Sequence, residues 1–329
     1  MLNIAVIGAG RIGRIHARNI ALHSRARLAG VSDPHTQAAA SLAQACGAQV
    51  IPLEEAFQAD AVLIGSPTPT HADYIERAAS AGCAVFCEKP VDLSAARVRD
   101  CLGAVARAGI PLMVGFNRRF DPSFASLQRR LASGEIGVLE LLTITSRDPA
   151  PPPASYVAQS GGLFRDMMIH DLDMARFLLG EEPVELYAAA SALVDKAIGE
   201  AGDVDTAVVT LKTASGKLCQ ISNSRRATYG YDQRIEAHGS EGMLRAANMT
   251  QTTVEAAGRN GFTTDPALPF FLERYEAAYR AELDAFITAI LDKIPAGPTG
   301  EDGLRALLLA DAATESARTG QPISLSLRG

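Results

Sequence analysis

The sequence predicts an α/β chain in two parts: a doubly wound parallel sheet over residues 1–120, then an α+β part with a mainly antiparallel sheet over residues 121–329. Three observations predict it. Strand and helix signals alternate through the first 120 residues, the βαβ pattern of a parallel sheet covered on both faces. The first strand signal runs straight into Gly8, Gly10 and Gly13, spaced G-x-G-x-x-G, with a helical pattern behind them. Past residue 121 the alternation stops, and strand-like runs follow one another through short turns such as Gly239-Ser240-Glu241-Gly242.

The first strand is read at 2–7 and the first helix at 11–23. Between them the three glycines serve a tight turn, close approach of backbone to a pyrophosphate, and close packing of helix on strand. The helix start adds free N–H groups and the positive end of a dipole for the phosphates. A second strand at 27–32 ends in Asp33, about twenty residues past the last glycine, where a carboxylate reaches a ribose 2′-OH and repels a 2′-phosphate. Together these predict a dinucleotide site for NAD rather than NADP. Strands at 60–65, 83–87 and 111–115 and helices at 35–46, 70–81 and 94–108 complete the alternation. Ligands of such sheets bind at the carboxyl ends of the strands, so Asp33, Ser66-Pro67-Thr68 and Glu88-Lys89-Pro90 are expected along one edge. Lys89 there is either an ordinary solvated lysine or a group that polarises a substrate oxygen. His71 is either a helix-start residue or a neighbour of the nicotinamide.

The second part opens with a helix at 122–133 and a strand at 138–147. A proline-rich stretch, Asp148-Pro149-Ala150-Pro151-Pro152-Pro153, is too stiff and too poor in donors for regular structure. A strongly apolar helix is read over 163–179, so apolar that it is expected to be buried. Asp166, His170 and Asp173 stand on it at i, i+4 and i+7 as one polar stripe, and buried polar groups need partners or a ligand. Asp171 points about 100° away from His170 on the helical wheel and is given a different role. Gly161-Gly162, just upstream, would let backbone approach a ligand closely. Strands follow at 184–194, 203–212, 216–224, 231–238 and 242–246, with closing helices at 269–292 and 300–319.

Composition narrows the function classes. The chain has 329 residues, 47% hydrophobic and 21% charged, as expected of a globular protein with room for two cores. A net charge of -6 argues against non-specific nucleic-acid binding, which needs a basic face. No apolar run reaches the roughly twenty residues of a membrane span, and the first strand signal begins at Leu2. Both point to a cytoplasmic protein. Cys46, Cys83, Cys87, Cys101 and Cys219 are an odd number, lack metal-ligand spacing and read as reduced core thiols. No metal is expected.

With these residues assembled, the chain resembles the Gfo/Idh/MocA oxidoreductase family. The matching pieces are GAGRIG at 8–13, EKP at 88–90, GFNRRFDP at 115–122 and GGLFRDMMIHDLDMARFLLG at 161–180. The C-terminal run EDGLRALLLADAATESARTGQPISL matches as well, so the resemblance covers essentially the whole chain. GFNRRFDP leans toward the inositol dehydrogenase branch.

The resemblance implies an NAD-binding Rossmann domain over 1–120, then a substrate-binding and oligomerisation domain with a large open sheet over 121–329. Such sheets pack face to face, which implies a homo-tetramer or homo-dimer. It implies Lys89, Asp166 and His170 as the catalytic set, with Arg119, Asp148 and Tyr229 contacting the polyol. Gly8, Gly10, Arg11, Ile12, Gly13, Asp33, Ser66, Pro67, Thr68, His71, Glu88 and Lys89 would line the cofactor. The implied reaction is oxidation of a ring secondary alcohol, myo-inositol to 2-keto-myo-inositol. The same chemistry on scyllo-inositol, an aldopyranose or an anhydrosugar is the nearest alternative. A non-catalytic NAD-binding sensor is an alternative of another class, and the joint presence of a base and an oxyanion stabiliser argues against it.

Overall fold

A computed structural model describes residues 1–325. The chain forms two compact units, Met1–Phe120 with Ala277–Leu307, and Asp121–Glu276 with the chain from Leu308 onward. A single cut at residue 120 does not describe this division, because 277–307 returns to the first unit. It returns because Leu283, Phe286 and Ile287 on that stretch are apolar side chains that join the first unit's core.

The first unit holds strands β1 (Leu2–Ile7), β2 (Ala26–Ser32), β3 (Ala61–Ile64), β4 (Ala84–Glu88) and β5 (Leu112–Gly115). They form one parallel sheet in the order β2-β1-β3-β4-β5. Helices α1 (Arg11–Leu22), α2 (Thr36–Ala45), α4 (His71–Ala81) and α5 (Ala95–Ala108) connect them, with a short turn of helix, α3 (Leu53–Ala56), ahead of β3. Each strand and each of the four long helices begins and ends within one residue of its expected place. The order reverses beside β1, the place where ligands of open α/β sheets sit.

Strands buried on both faces must be apolar throughout, and β3, Ala-Val-Leu-Ile, is 0% exposed along its length. Ser94 caps α5 by accepting the Arg97 N–H, and Gly109, at φ 67°, ends it. By contrast α1 begins after Gly10 with no side-chain cap. Phe286 meets Phe86 edge-on, ring centroids 5.6 Å apart, and each such burial is worth about 2–3 kcal/mol.

The second unit begins with α6 (Pro122–Ala132), capped by Asp121, whose buried carboxylate also pairs with Arg274. Its sheet comprises β6 (Leu139–Arg147), β7 (Pro183–Ser191), β8 (Thr206–Thr213), β9 (Leu218–Ser224), β10 (Asp232–Gly239), β11 (Gly242–Ala246) and β14 (Ile323–Ser324). The order is β11-β10-β6-β9-β8-β7-β14, antiparallel throughout except for the parallel pair β6–β9. Burial alternates strictly along β8, with Ala207, Val209 and Leu211 inward, as a sheet with one covered face requires.

Several features depart from expectation. The proline-rich stretch gives way to a helix, α7 (Ala154–Ser160), which Pro153 opens because proline needs no N–H there. The apolar helix at 163–179 is a π turn, Phe164–Met168, followed by α8 (Ile169–Leu179). A short helix α9 (Lys196–Glu200) and a hairpin, β12 (Glu255–Gly258) with β13 (Gly261–Thr264), had no signal strong enough to read. The helix at 269–292 is two, α10 (Phe271–Arg274) and α11 (Glu276–Asp292), and the last is α12 (Gly300–Thr319). No helix among the described residues is long and apolar enough to cross a membrane.

Candidate active site

The carboxyl edge of the parallel sheet gathers the residues expected of a dinucleotide site. Gly8 has φ 105°, and a Cβ there would lie 2.6 Å from the Gly65 carbonyl, so the β1 turn is pressed against the end of β3. A Cβ on Gly13 would lie 1.9 Å from the Gly8 oxygen, which is the close packing of α1 on the strand. A Cβ on Gly10 would meet nothing within 4 Å, so open space stands at the uncapped start of α1. That combination fits a pyrophosphate: two glycines are needed by the protein, and the third leaves room. Arg11 is exposed and Ile12 half-buried in the same turn.

Asp33 closes the site at β2. Its Oδ2 accepts the Ala9 N–H at 2.6 Å and its Oδ1 the His35 N–H at 2.7 Å. Each carboxylate oxygen can accept a second donor, so this tether leaves the group free to receive ribose hydroxyls. After β3, Ser66 Oγ shares a hydrogen bond with Thr70 Oγ1 at 2.7 Å; Pro67 is exposed and Thr68 half-buried.

His71 opens α4 and is 2% exposed, with Nε2 2.7 Å from the Ser66 carbonyl and Nδ1 2.8 Å from the Pro90 carbonyl. The ring therefore joins the loop after β3 to the loop after β4. Burial pushes its imidazole below the usual value, against the two carbonyls, which favour the protonated form. Lys89 is half-buried at the end of β4, and Glu88 before it turns to His16 of α1, 2.8 Å away. Arg119 lies in the 3-10 turn after β5, Asn117–Phe120, with Nη2 3.0 Å from Asp302 Oδ1. Burial opposes the charge on Asp302, but Arg119 and the bonds from Thr299 outweigh it and hold the carboxyl down at about 2.

In the second unit the π turn and α8 carry the other candidates. Asp166 Oδ1 accepts the Tyr156 hydroxyl at 3.1 Å, and its Oδ2 lies 3.5 Å from Nη2 of Arg225, itself 2% exposed. His170 stands half-buried in the first turn of α8. The expected stripe divides here. Asp173 is 1% exposed and sits 3.8 Å from Arg176, a structural pairing along the helix. Asp171 is 0% exposed and accepts from Ser146 Oγ at 2.6 Å and from Asn223 Nδ2 at 2.9 Å, pinning α8 to β6 and β9. Nor is the backbone at Gly162 reserved for a ligand: a Cβ there would lie 2.6 Å from Asp203 Oδ1, whose carboxylate accepts the Leu163 N–H.

Asp148 follows β6 and donates its N–H to the Ser224 carbonyl at 3.0 Å. Tyr229, 49% exposed, accepts from Arg147 Nη1 and donates to Asp232 Oδ2, each at 2.7 Å. Burial opposes ionisation of Asp232, yet bonds from Arg234, Tyr229 and Asn248 hold its carboxyl below the usual range. Arg225, Asp232 and Asp302 are not singled out by the sequence. Each stands among polar or glycine neighbours, so its sequence surroundings do not signal that it is buried or paired.

Comparisons with known proteins agree with this layout. Residues 2–116 match the oxidoreductase family with an NAD-binding Rossmann fold, and residues 124–245 match the GFO/IDH/MocA C-terminal domain. The chain is 52% identical over 328 residues to inositol 2-dehydrogenase of Rhizobium meliloti strain 1021, covering 99% of both. It is 45% identical over 329 residues to myo-inositol 2-dehydrogenase of Thermotoga maritima, covering 98% of both. Scyllo-inositol dehydrogenase from Lactobacillus casei, solved with bound NAD(H) and scyllo-inositol, superposes with a TM-score of 0.92 at 30% identity, over 98% of this chain and 99% of that one. With an NAD-binding Rossmann unit, a second unit built on a mixed, mainly antiparallel sheet and relatives matched from end to end, the chain belongs to the Gfo/Idh/MocA oxidoreductase family.

Proposed function

We propose that this chain oxidises a ring secondary alcohol with NAD, converting myo-inositol to 2-keto-myo-inositol, and that Lys89, Asp166 and His170 are its catalytic set. The observation that carries the substrate is the near-complete match, at 52% and 45% identity, to two proteins named for that reaction. The first unit holds the cofactor through the Gly8–Gly10–Gly13 turn, Arg11, Ile12, Asp33, the Ser66-Pro67-Thr68 loop and the Glu88-Lys89 strand end. His71 supports that edge from behind by tying two of its loops. The polyol contacts are Arg119 and, in the second unit, Asp148 and Tyr229. In this reading its open sheet also pairs copies of the chain into a homo-dimer or homo-tetramer. Five free cysteines, four of them buried, suit a reducing compartment, and a cytoplasmic location belongs to the same reading.

Bound NAD supplies the hydride acceptor. The protein's part is proton handling and orientation. His170 takes the hydroxyl proton, a role suited to an imidazole near neutral pH. Asp166, held by Tyr156 and Arg225, orients the imidazole for that transfer. Lys89 stabilises the alkoxide as it forms. Scyllo-inositol is the second substrate reading, favoured by the bound ligand of the Lactobacillus casei structure.

The test is NADH formation with myo-inositol, scyllo-inositol, glucose and levoglucosan, run in parallel with NADP. Turnover on myo-inositol with NAD is expected, and His170→Ala should lower kcat by about 10²- to 10⁴-fold while leaving NAD binding intact. Turnover on a sugar alone would keep the mechanism and discard the substrate. Unchanged turnover in the His170 variant would remove it as the base.

A further inference from the structure

Behind the strand end that carries Lys89, the first unit buries three titratable side chains together. His16 comes from α1, Glu88 from the end of β4 and Glu282 from α11, and their ligand-type atoms lie within 4.8 Å of one another. His16 and Glu282 are 0% exposed, and the Glu88 side chain is 13% exposed. The His16 ring stands against Phe86, centroids 5.0 Å apart, and edge-on to Tyr279 at 5.6 Å. Leu283 and Phe286, beside Glu282 on α11, belong to the surrounding core. There is no slack around Glu88 either, since a Cβ on Gly115 would come within 3.0 Å of its carboxyl group.

Hydrogen-bond accounting decides where the charges are. His16 Nε2 lies 2.8 Å from Glu88 Oε1 and 3.9 Å from Glu282 Oε1, so its N–H goes to Glu88. Both oxygens of Glu282 are fully buried and have no hydrogen-bond partner. An ionised carboxylate in that position would be stripped of water, unbonded and beside a second carboxylate. Such a group keeps its proton. Burial, reinforced by Glu88, pushes the Glu282 carboxyl well above the usual range.

We propose that Glu282 is a positioning residue for Lys89: making no hydrogen bond of its own, it leaves the His16 Nε2–H to Glu88 and so fixes the strand end from which Lys89 acts. This rests on the assignment of Lys89 to the reaction. The groups that face Glu282 are His16 from α1, Glu88 from β4 and, on its own helix, Tyr279. Once ionised, Glu282 competes with Glu88 for the His16 N–H and loosens the strand end. The sign for stability follows: the folded chain binds a proton that the unfolded chain releases, so this group lowers stability as pH rises from the ordinary carboxylate range upward.

The experiment compares wild type with Glu282→Gln, a neutral isostere, and Glu282→Ala, on the full chain. Infrared difference spectra should show a protonated-carboxyl band at neutral pH that is missing in Glu282→Gln. The Tm advantage of Glu282→Gln over wild type should widen as pH rises above the ordinary carboxylate range. Glu282→Gln should keep kcat within about twofold at neutral pH and hold it as pH rises, where wild type declines; Glu282→Ala, which likewise cannot compete for the His16 N–H, should do the same with little change in KM for NAD. Absence of the band, parallel pH–stability curves, or a stoichiometric metal ion in the purified protein would overturn the neutral acid. The band together with pH–kcat profiles that coincide in wild type and Glu282→Gln would overturn the positioning role. Failure of the chain on every polyol would instead strike the assignment of the reaction, since the band and the Tm curves need no substrate.

Discussion

Asp302 shows how much one carboxylate can hold at the cofactor edge. It accepts from the Thr299 N–H and hydroxyl at the start of α12 and pairs with Arg119, with only 21% of its side chain exposed. Its carboxyl sits at about 2, below the ordinary value near 3.9, so the fold favours the charged form. The stability this brings is therefore complete above the ordinary value and disappears as pH falls through the folded one. A displacement of that size corresponds to about 2–3 kcal/mol before partial solvent screening. Asp302→Asn is expected to cost about 1–2 kcal/mol at neutral pH, read by urea unfolding, and to match wild type at about pH 2. A constant deficit at both pH values would mean that the loss is packing and not charge. Single residues could be read from sequence where topology alone places them: Asp33 and Lys89 each stand directly after a strand. Arg225, Asp302 and Glu282 could not, because their roles depend on partners 59, 183 and 194–266 positions distant in the chain.

At the level of elements, α8 is the piece that most needs an anchor. It is apolar on most sides, so packing alone does not set its rotation. Asp171 sets it, taking one bond from β6 through Ser146 and one from β9 through Asn223. Ser146 also bonds Gln233 on β10, which accepts from Tyr275 at 3.0 Å, so the anchor spans three strands. Asp171→Ala strands two buried donors and is expected to cost about 3 kcal/mol. Asp171→Asn keeps one acceptor and should cost less. If the alanine variant unfolds at the same urea concentration as wild type, the network is not what holds the helix. The sequence could show that 163–179 is helical but not that it opens with a π turn, since an apolar run suits either winding. Asp166 lies in that turn, whereas His170 and Asp173 both stand on the regular α8. The helix at Ala154–Ser160 was obscured by the prolines before it, and the β12–β13 hairpin by having no buried face to set a period.

For the whole molecule, the consequence of the fold lies in how cofactor binding reaches the C-terminal part of the sequence. Residues 277–307 complete the first unit, so the core under the nucleotide edge contains Leu283, Phe286 and Ile287 as well as Ile4 and Leu63. A ligand that binds only the folded unit stabilises all of it, by about 2.7 kcal/mol at one hundred times its Kd. NAD should therefore raise the Tm of the first unit by several degrees and slow amide exchange in α11 along with β1. NADP at the same concentration should do much less, because Asp33 meets its 2′-phosphate with a negative charge. Asp33→Ser removes that charge while keeping a short polar side chain, and is expected to shrink the difference between the two cofactors. The comparison separates two accounts of the edge. If Asp33→Ser weakens NAD and strengthens NADP, the carboxylate selects the cofactor; if both fall together, its bonds to the Ala9 and His35 N–H groups were holding the glycine turn in shape.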